Sequence, residues 1–181
     1  MSDVVLPGSG DSKAEKTDLA PRPDTLEDAR IAFIDWGKPN GEELYESLSE
    51  LLATEHGAAE LEWFQKPSPS SPMPADLEEA VLEYDPDAAI LAIADCGSCN
   101  SSSVVDNITL EEAGIPTVQV ITDEFIELNR QIREGRGYDE LPIVTVPHPT
   151  RFLDREEVEA LAKEILPDLT AQLTDPAEII A

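Results

Sequence analysis

Residues 30–35 (Arg-Ile-Ala-Phe-Ile-Asp) form a short apolar run that stops at Gly37 and Pro39, which predicts a buried strand. Asn40 then stands as a helix cap before Leu44, Leu48, Leu51 and Leu52, a helical period ending at Gly57. Residues 58–65 alternate Ala59, Leu61 and Trp63 against Glu60 and Glu62, which predicts a half-exposed strand near a sheet edge. A Pro/Ser loop over 66–74 precedes a short acidic helix over 75–84, with Leu77, Val81 and Leu82 on one face. Residues 87–94 hold an uninterrupted Ala-Ala-Ile-Leu-Ala-Ile run, suited to a central strand covered on both sides. A helix over 98–113, a strand over 116–121, a helix over 123–134, a strand over 142–146 and a helix over 154–173 follow. Pro167 is a candidate kink in the last of them.

Strands alternating with helices imply right-handed crossovers and a parallel sheet. The expected fold is α/β, a three-layer doubly wound sheet of five strands in the flavodoxin-like order 2-1-3-4-5. A six-stranded Rossmann order is the alternative. No G-x-G-x-x-G follows the first strand, and no cofactor is predicted. Residues 1–27 are polar and read as a tail, residues 28–174 as one domain, and residues 175–181 as a frayed end.

The fold order gives the cysteines a place. In such sheets ligands bind beyond the carboxyl ends of the strands, at the switch point between the first and third strands. The segment after the third strand is Asp95-Cys96-Gly97-Ser98-Cys99-Asn100-Ser101-Ser102-Ser103. A helix start carries free N–H groups and partial positive charge, which favour a thiolate. Gly97 allows a tight turn, and the hydroxyls of Ser98, Ser101, Ser102 and Ser103 are candidate donors to a bound anion. Asp95 opposes the thiolate. The same rim gathers Asp35, Lys38 and Asn40 after the first strand, Lys66 and Ser68 after the second, Thr122 and Asp123 after the fourth, and His148 after the fifth. His148 is a candidate acid/base. His56 falls on the opposite rim, so a Cys2His2 metal site within one chain is not expected.

Charge narrows the partners. There are 12 Lys+Arg against 39 Asp+Glu, a net charge of −27. That argues against nucleic acid and against anionic membrane surfaces. Lysine is confined to positions 13, 16, 38, 66 and 163, and acid-rich, lysine-poor composition points to a high-salt cytoplasm. No apolar run is long enough for a membrane span.

Asp95-Cys96-Gly97-Ser98-Cys99, followed by Gly114-Ile115-Pro116-Thr117-Val118 and Val146-Pro147-His148-Pro149, resembles the UGSC family of (seleno)proteins. Asp35-x-Gly37-Lys38-Pro39-Asn40 and Lys66-Pro67-Ser68 look like that family's other blocks. The resemblance implies selenocysteine in relatives at the position of Cys96. It extends to the selenoprotein B subunits of glycine, sarcosine and betaine reductases, and so implies reductive cleavage. Relatives often carry a further cysteine at the position of Ser102 and a histidine at that of Val105, so this chain lacks a second resolving thiol and a base.

Three functions compete. The first is a thiol-dependent redox enzyme on a small molecule, with Cys96 as nucleophile, Cys99 as resolving thiol and a cellular dithiol as reductant. The second is a thiol/disulfide carrier or sensor. The third is a ligand-binding subunit of a homo-oligomer or larger complex.

Overall fold

The computed structural model describes residues 18–174, so residues 1–17 of the expected tail and the expected frayed end at 175–181 lie outside the described residues. Five parallel strands form one sheet in the order β2-β1-β3-β4-β5, as expected. They are β1 (Arg30–Asp35), β2 (Glu60–Gln65), β3 (Ala88–Ala94), β4 (Thr117–Thr122) and β5 (Ile143–Val146). The helices are α1 (Gly41–Glu55), α2 (Ala75–Tyr84), α3 (Gly97–Glu112), α4 (Ile126–Arg136) and α5 (Arg155–Thr174).

Period-two alternation sorts the core. Ile31 and Phe33 of β1 join Leu44, Leu48 and Leu52 of α1 and Leu161, Ile165 and Leu169 of α5 on one face. Ala32 and Ile34 join Val81 of α2 and Leu110 of α3 on the other. β3 is buried along its whole length, as its continuous apolar run requires. β2 is the exposed edge and begins at Glu60 rather than residue 58. The segment 123–125 is a 3-10 turn, so α4 starts later than its pattern suggested. Pro167 lies inside α5 without ending it.

β3 slips out of register with β4 between Leu91 and Ala94, just ahead of the cysteines. Two side chains meet the backbone groups there. The buried Tyr45 hydroxyl accepts from the Ala92 N–H at 2.7 Å and lies 2.5 Å from the Ile34 carbonyl. Trp36 donates its indole N–H to the Ile93 carbonyl at 3.1 Å. The irregular strand end is therefore held from β1 and α1.

The described part of the expected tail is packed, not free. Ala20 and Leu26 are buried. Arg22 grips Glu111 of α3 with two bonds, at 2.7 and 2.8 Å. The same carboxylate accepts the N–H groups of Ala20 and Thr117, both at 2.8 Å. It therefore has four donors and needs no water. Arg22 and Glu111 are both almost fully buried, at 2% and 1% side-chain exposure, so breaking the pair strands a buried charge.

Glu111→Gln is expected to cost about 3–5 kcal/mol in urea unfolding. Arg155→Ala, which removes the exposed pairs to Glu46 and Glu159, is expected to cost under about 1 kcal/mol.

Candidate functional site

Only Asp95 and Cys96 separate the end of β3 from the start of α3. Cys96 is extended (φ −148°, ψ 158°) and caps the helix. Its sulfur accepts the Cys99 N–H at 3.3 Å, the bond that a serine or aspartate oxygen usually accepts at a helix start. In the reduced state that N–H and the helix terminus favour a thiolate on Cys96. Cys96 is half-buried, while Cys99 is fully buried. Their sulfurs are joined, and the Cα atoms are 5.3 Å apart. That separation lies within the roughly 4.4–6.8 Å span of ordinary disulfides, so the backbone already suits a bridge.

Asp95 and Lys38 form an ion pair at 2.6 Å, with 11% and 19% side-chain exposure. The carboxylate and the ammonium thus offset one another beside the thiols. The same Asp95 oxygen lies 3.8 Å from the Cys99 sulfur. Asp95, Cys96 and Cys99 place three donor atoms within 4.8 Å of one another, one fewer than a closed zinc site uses.

Lys66 is not a solvated rim lysine. It is 2% exposed and forms a short ion pair with Asp106 of α3. Its ammonium also lies 3.3 Å from the Ser102 hydroxyl and 5.2 Å above the Trp36 ring. Asp106 accepts the Met73 N–H at 2.6 Å, and Ser102 donates to the Pro69 carbonyl at 2.6 Å. Residues 66–73 are therefore fastened along α3, with the Lys66 charge paired to Asp106. Ser68 accepts the Ser70 N–H at 3.2 Å and folds the loop tip. Ser70 reaches Ser98 at 2.9 Å, and Ser98 lies 3.6 Å from the Cys96 sulfur. The loop thus ends over the first turn of α3.

Several rim residues build the frame. Asp35 is buried, accepting the Gly37 N–H at 3.0 Å and the Gln65 amide at 3.2 Å. Asn40 is left-handed (φ 65°) and makes no side-chain cap bond. Its amide instead donates to the Thr150 and Leu153 carbonyls at 2.8 and 2.9 Å, tying the β1–α1 loop to the β5–α5 loop. Ser101 donates to the Gly97 carbonyl at 2.9 Å, within its own helix. Gly97 opens α3, and an added Cβ would meet only Leu128, at 3.7 Å, so no tight turn demands glycine there. His148 is exposed and its Nδ1 lies 3.0 Å from the Thr122 hydroxyl. Asp123 accepts the His148 N–H at 3.0 Å, and the ring meets Phe125 edge-on. These contacts join His148 to the end of β4 rather than to either cysteine.

A model of the UGSC family matches residues 3–175. The chain belongs to the UGSC family. No curated protein and no solved structure matches it. In this UGSC protein, the position where a further cysteine was expected is Ser102, which is buried and lies 3.1 Å from the Cys99 carbonyl. Val105, at the expected histidine position, is half-exposed.

The sequence reading missed a polar interior behind the cysteines. Asn129 of α4 donates to Asn100 at 3.0 Å and to Gln119 of β4 at 3.1 Å. Gln119 in turn donates to Ser103. The available signal was the spacing of Asn100, Ser103 and Asn107, at i, i+3 and i+7 on one helix face.

Burial pushes the Asp106 carboxyl above its ordinary 3.8, while Lys66 and the Met73 N–H pull it back. Lys66→Met removes the larger pull, so the folded value rises further. A carboxyl raised by folding contributes stability below about pH 4 that is lost as pH rises through the folded value. The loss in Lys66→Met should therefore be small near pH 4 and reach about 3–5 kcal/mol at neutral pH. Urea unfolding at both pH values checks this, and adding Asp106→Asn should restore most of the loss.

Proposed function

We propose that this UGSC protein is a thiol-dependent redox enzyme acting on a small molecule. The observation that carries the reading is the asymmetry of the pair. Cys96 is half-buried with its sulfur on a helix-start N–H, and Cys99 is fully buried at bonding distance behind it. Cys96 thiolate bonds to the electrophilic atom of the substrate and displaces a leaving group. Cys99 thiolate then attacks the Cys96 sulfur. The S–S bond forms as the Cys96–substrate bond breaks, and the substrate fragment departs with the electron pair and takes up a proton. The substrate gains two electrons and the thiol pair loses two. A cellular dithiol reopens the bridge. Reductive cleavage is the version proposed here, on the motif resemblance noted from the sequence.

His148 is the candidate proton donor to the departing group, since it is exposed on the rim and oriented by Thr122. The loop held down by Lys66 and Ser102 covers the start of α3, which favours a small substrate over a protein disulfide. The working compartment proposed is a high-salt cytoplasm, on the net charge of −27 and the scarcity of lysine. Among the described residues no helix is long and apolar enough to cross a membrane.

Iodoacetamide labelling of the reduced native chain in concentrated KCl, read by mass spectrometry, tests the assignment. Cys96 should alkylate well at about pH 6.5, below the ordinary thiol range, while Cys99 stays unlabelled until the fold is opened. Cys99→Ser should leave Cys96 labelling within about threefold. Two inert cysteines, or Cys99 labelling first, would refute the reading.

A further inference from the structure

The pair leaves one proton unassigned. Cys99 must lose its proton before it can attack Cys96, yet it is fully buried and water does not reach it. A base already inside the fold is required. The Asp95 carboxylate is in place, with one oxygen 3.8 Å from the Cys99 sulfur, within reach of a hydrogen bond to sulfur. We infer that Asp95 is the catalytic base for Cys99, and the acid that returns the proton when the bridge is reopened. This rests on the proposed roles of Cys96 and Cys99.

The neighbouring charges support the assignment. From the β1–α1 loop, Lys38 sits 2.6 Å from the same Asp95 oxygen and positions it. Asp35 at the end of β1 is engaged by the Gly37 N–H and the Gln65 amide. Asp123 accepts the His148 backbone N–H, and the His148 ring is turned to Thr122. Lys66 and Asp106 are closed on one another further along α3. Of these groups, Asp95 is the one in contact with the Cys99 sulfur.

The step balances. With Cys96 carrying a mixed disulfide to a thiol compound, the Cys99 S–H proton passes to Asp95. The Cys99 sulfur bonds to the Cys96 sulfur, and the Cys96–S–R bond breaks. The released thiolate leaves with that electron pair and takes the proton from Asp95. In this step the Cys99 sulfur is oxidised and the departing R–S sulfur is reduced; over the two attacks the protein dithiol loses two electrons and the disulfide R–S–S–R gains two.

The uncharged disulfide 4,4′-dithiodipyridine separates the two thiols, because each attack releases one thiopyridone. The first release reports Cys96, and the second reports Cys99 attacking the Cys96 adduct. In stopped-flow mixing of the reduced full chain at about pH 6, Asp95→Asn should slow the second release at least tenfold and leave the first within about twofold. The deficit should shrink toward about pH 9, where the thiol ionises without help. Asp95→Glu, which keeps a carboxylate, should recover part of the rate. An unchanged second release in Asp95→Asn would overturn the inference. So would equal slowing of both releases, or a deficit that does not depend on pH, since either marks a merely structural residue. Absence of the first release in the unmodified chain would instead overturn the roles of the cysteines, and this inference with them.

Discussion

Helix α3 begins with a sulfur cap. The free N–H at its third position points at Cys96, and that single bond links backbone geometry to thiol chemistry. It requires β3 to end where it does, because only Asp95 lies between the strand and the cap. It also requires the irregular end of β3 to be held, which Tyr45 and Trp36 do from β1 and α1. The rest of the site follows from that start. The fourth residue of the motif falls on the buried side of the first turn, which makes one cysteine reachable and the other not.

Charge is organised differently inside and outside. The chain carries −27 overall, but the buried and half-buried carboxylates on or beside α3 named next each have a cation. Glu111 holds Arg22, Asp106 holds Lys66 and Asp95 holds Lys38. A buried carboxylate without such a partner would cost several kcal/mol, so scarce cations serve these positions first. The two lysines of the rim are structural charges in this sense. They fix the loops around the cysteines, and with Lys38 offsetting Asp95 the field near the thiols is set mainly by the helix terminus.

The strands, their order and the rim position of the cysteines were legible because each depends on local pattern. Continuous apolar residues marked β3, and alternating ones marked the edge strand β2. What was not legible depends on distant partners. Lys66 stands in the sequence as a rim charge with no visible partner, because Asp106 lies 40 residues away and nothing local shows that they meet. Arg22 looked like tail for the same reason, with Glu111 89 residues on. The buried amides of Asn100, Gln119 and Asn129 ran against the expectation of an apolar core; they bond to each other through Asn129 Nδ2, while Asn100 Nδ2 and Asn129 Oδ1 are buried without a partner. Asn40 stands at the start of α1, as its place in the sequence implies, but its amide reaches across to the β5–α5 loop instead of capping its own helix.

The central claim is that Cys96 and Cys99 work as one two-electron unit. Equilibration of the full chain in graded ratios of oxidised to reduced dithiothreitol, followed by acid quench and thiol labelling, tests it directly. The account predicts a single reversible transition in which both cysteines gain or lose the label together. Independent labelling of the two residues, or a pair that stays in one state across the whole range, would contradict it.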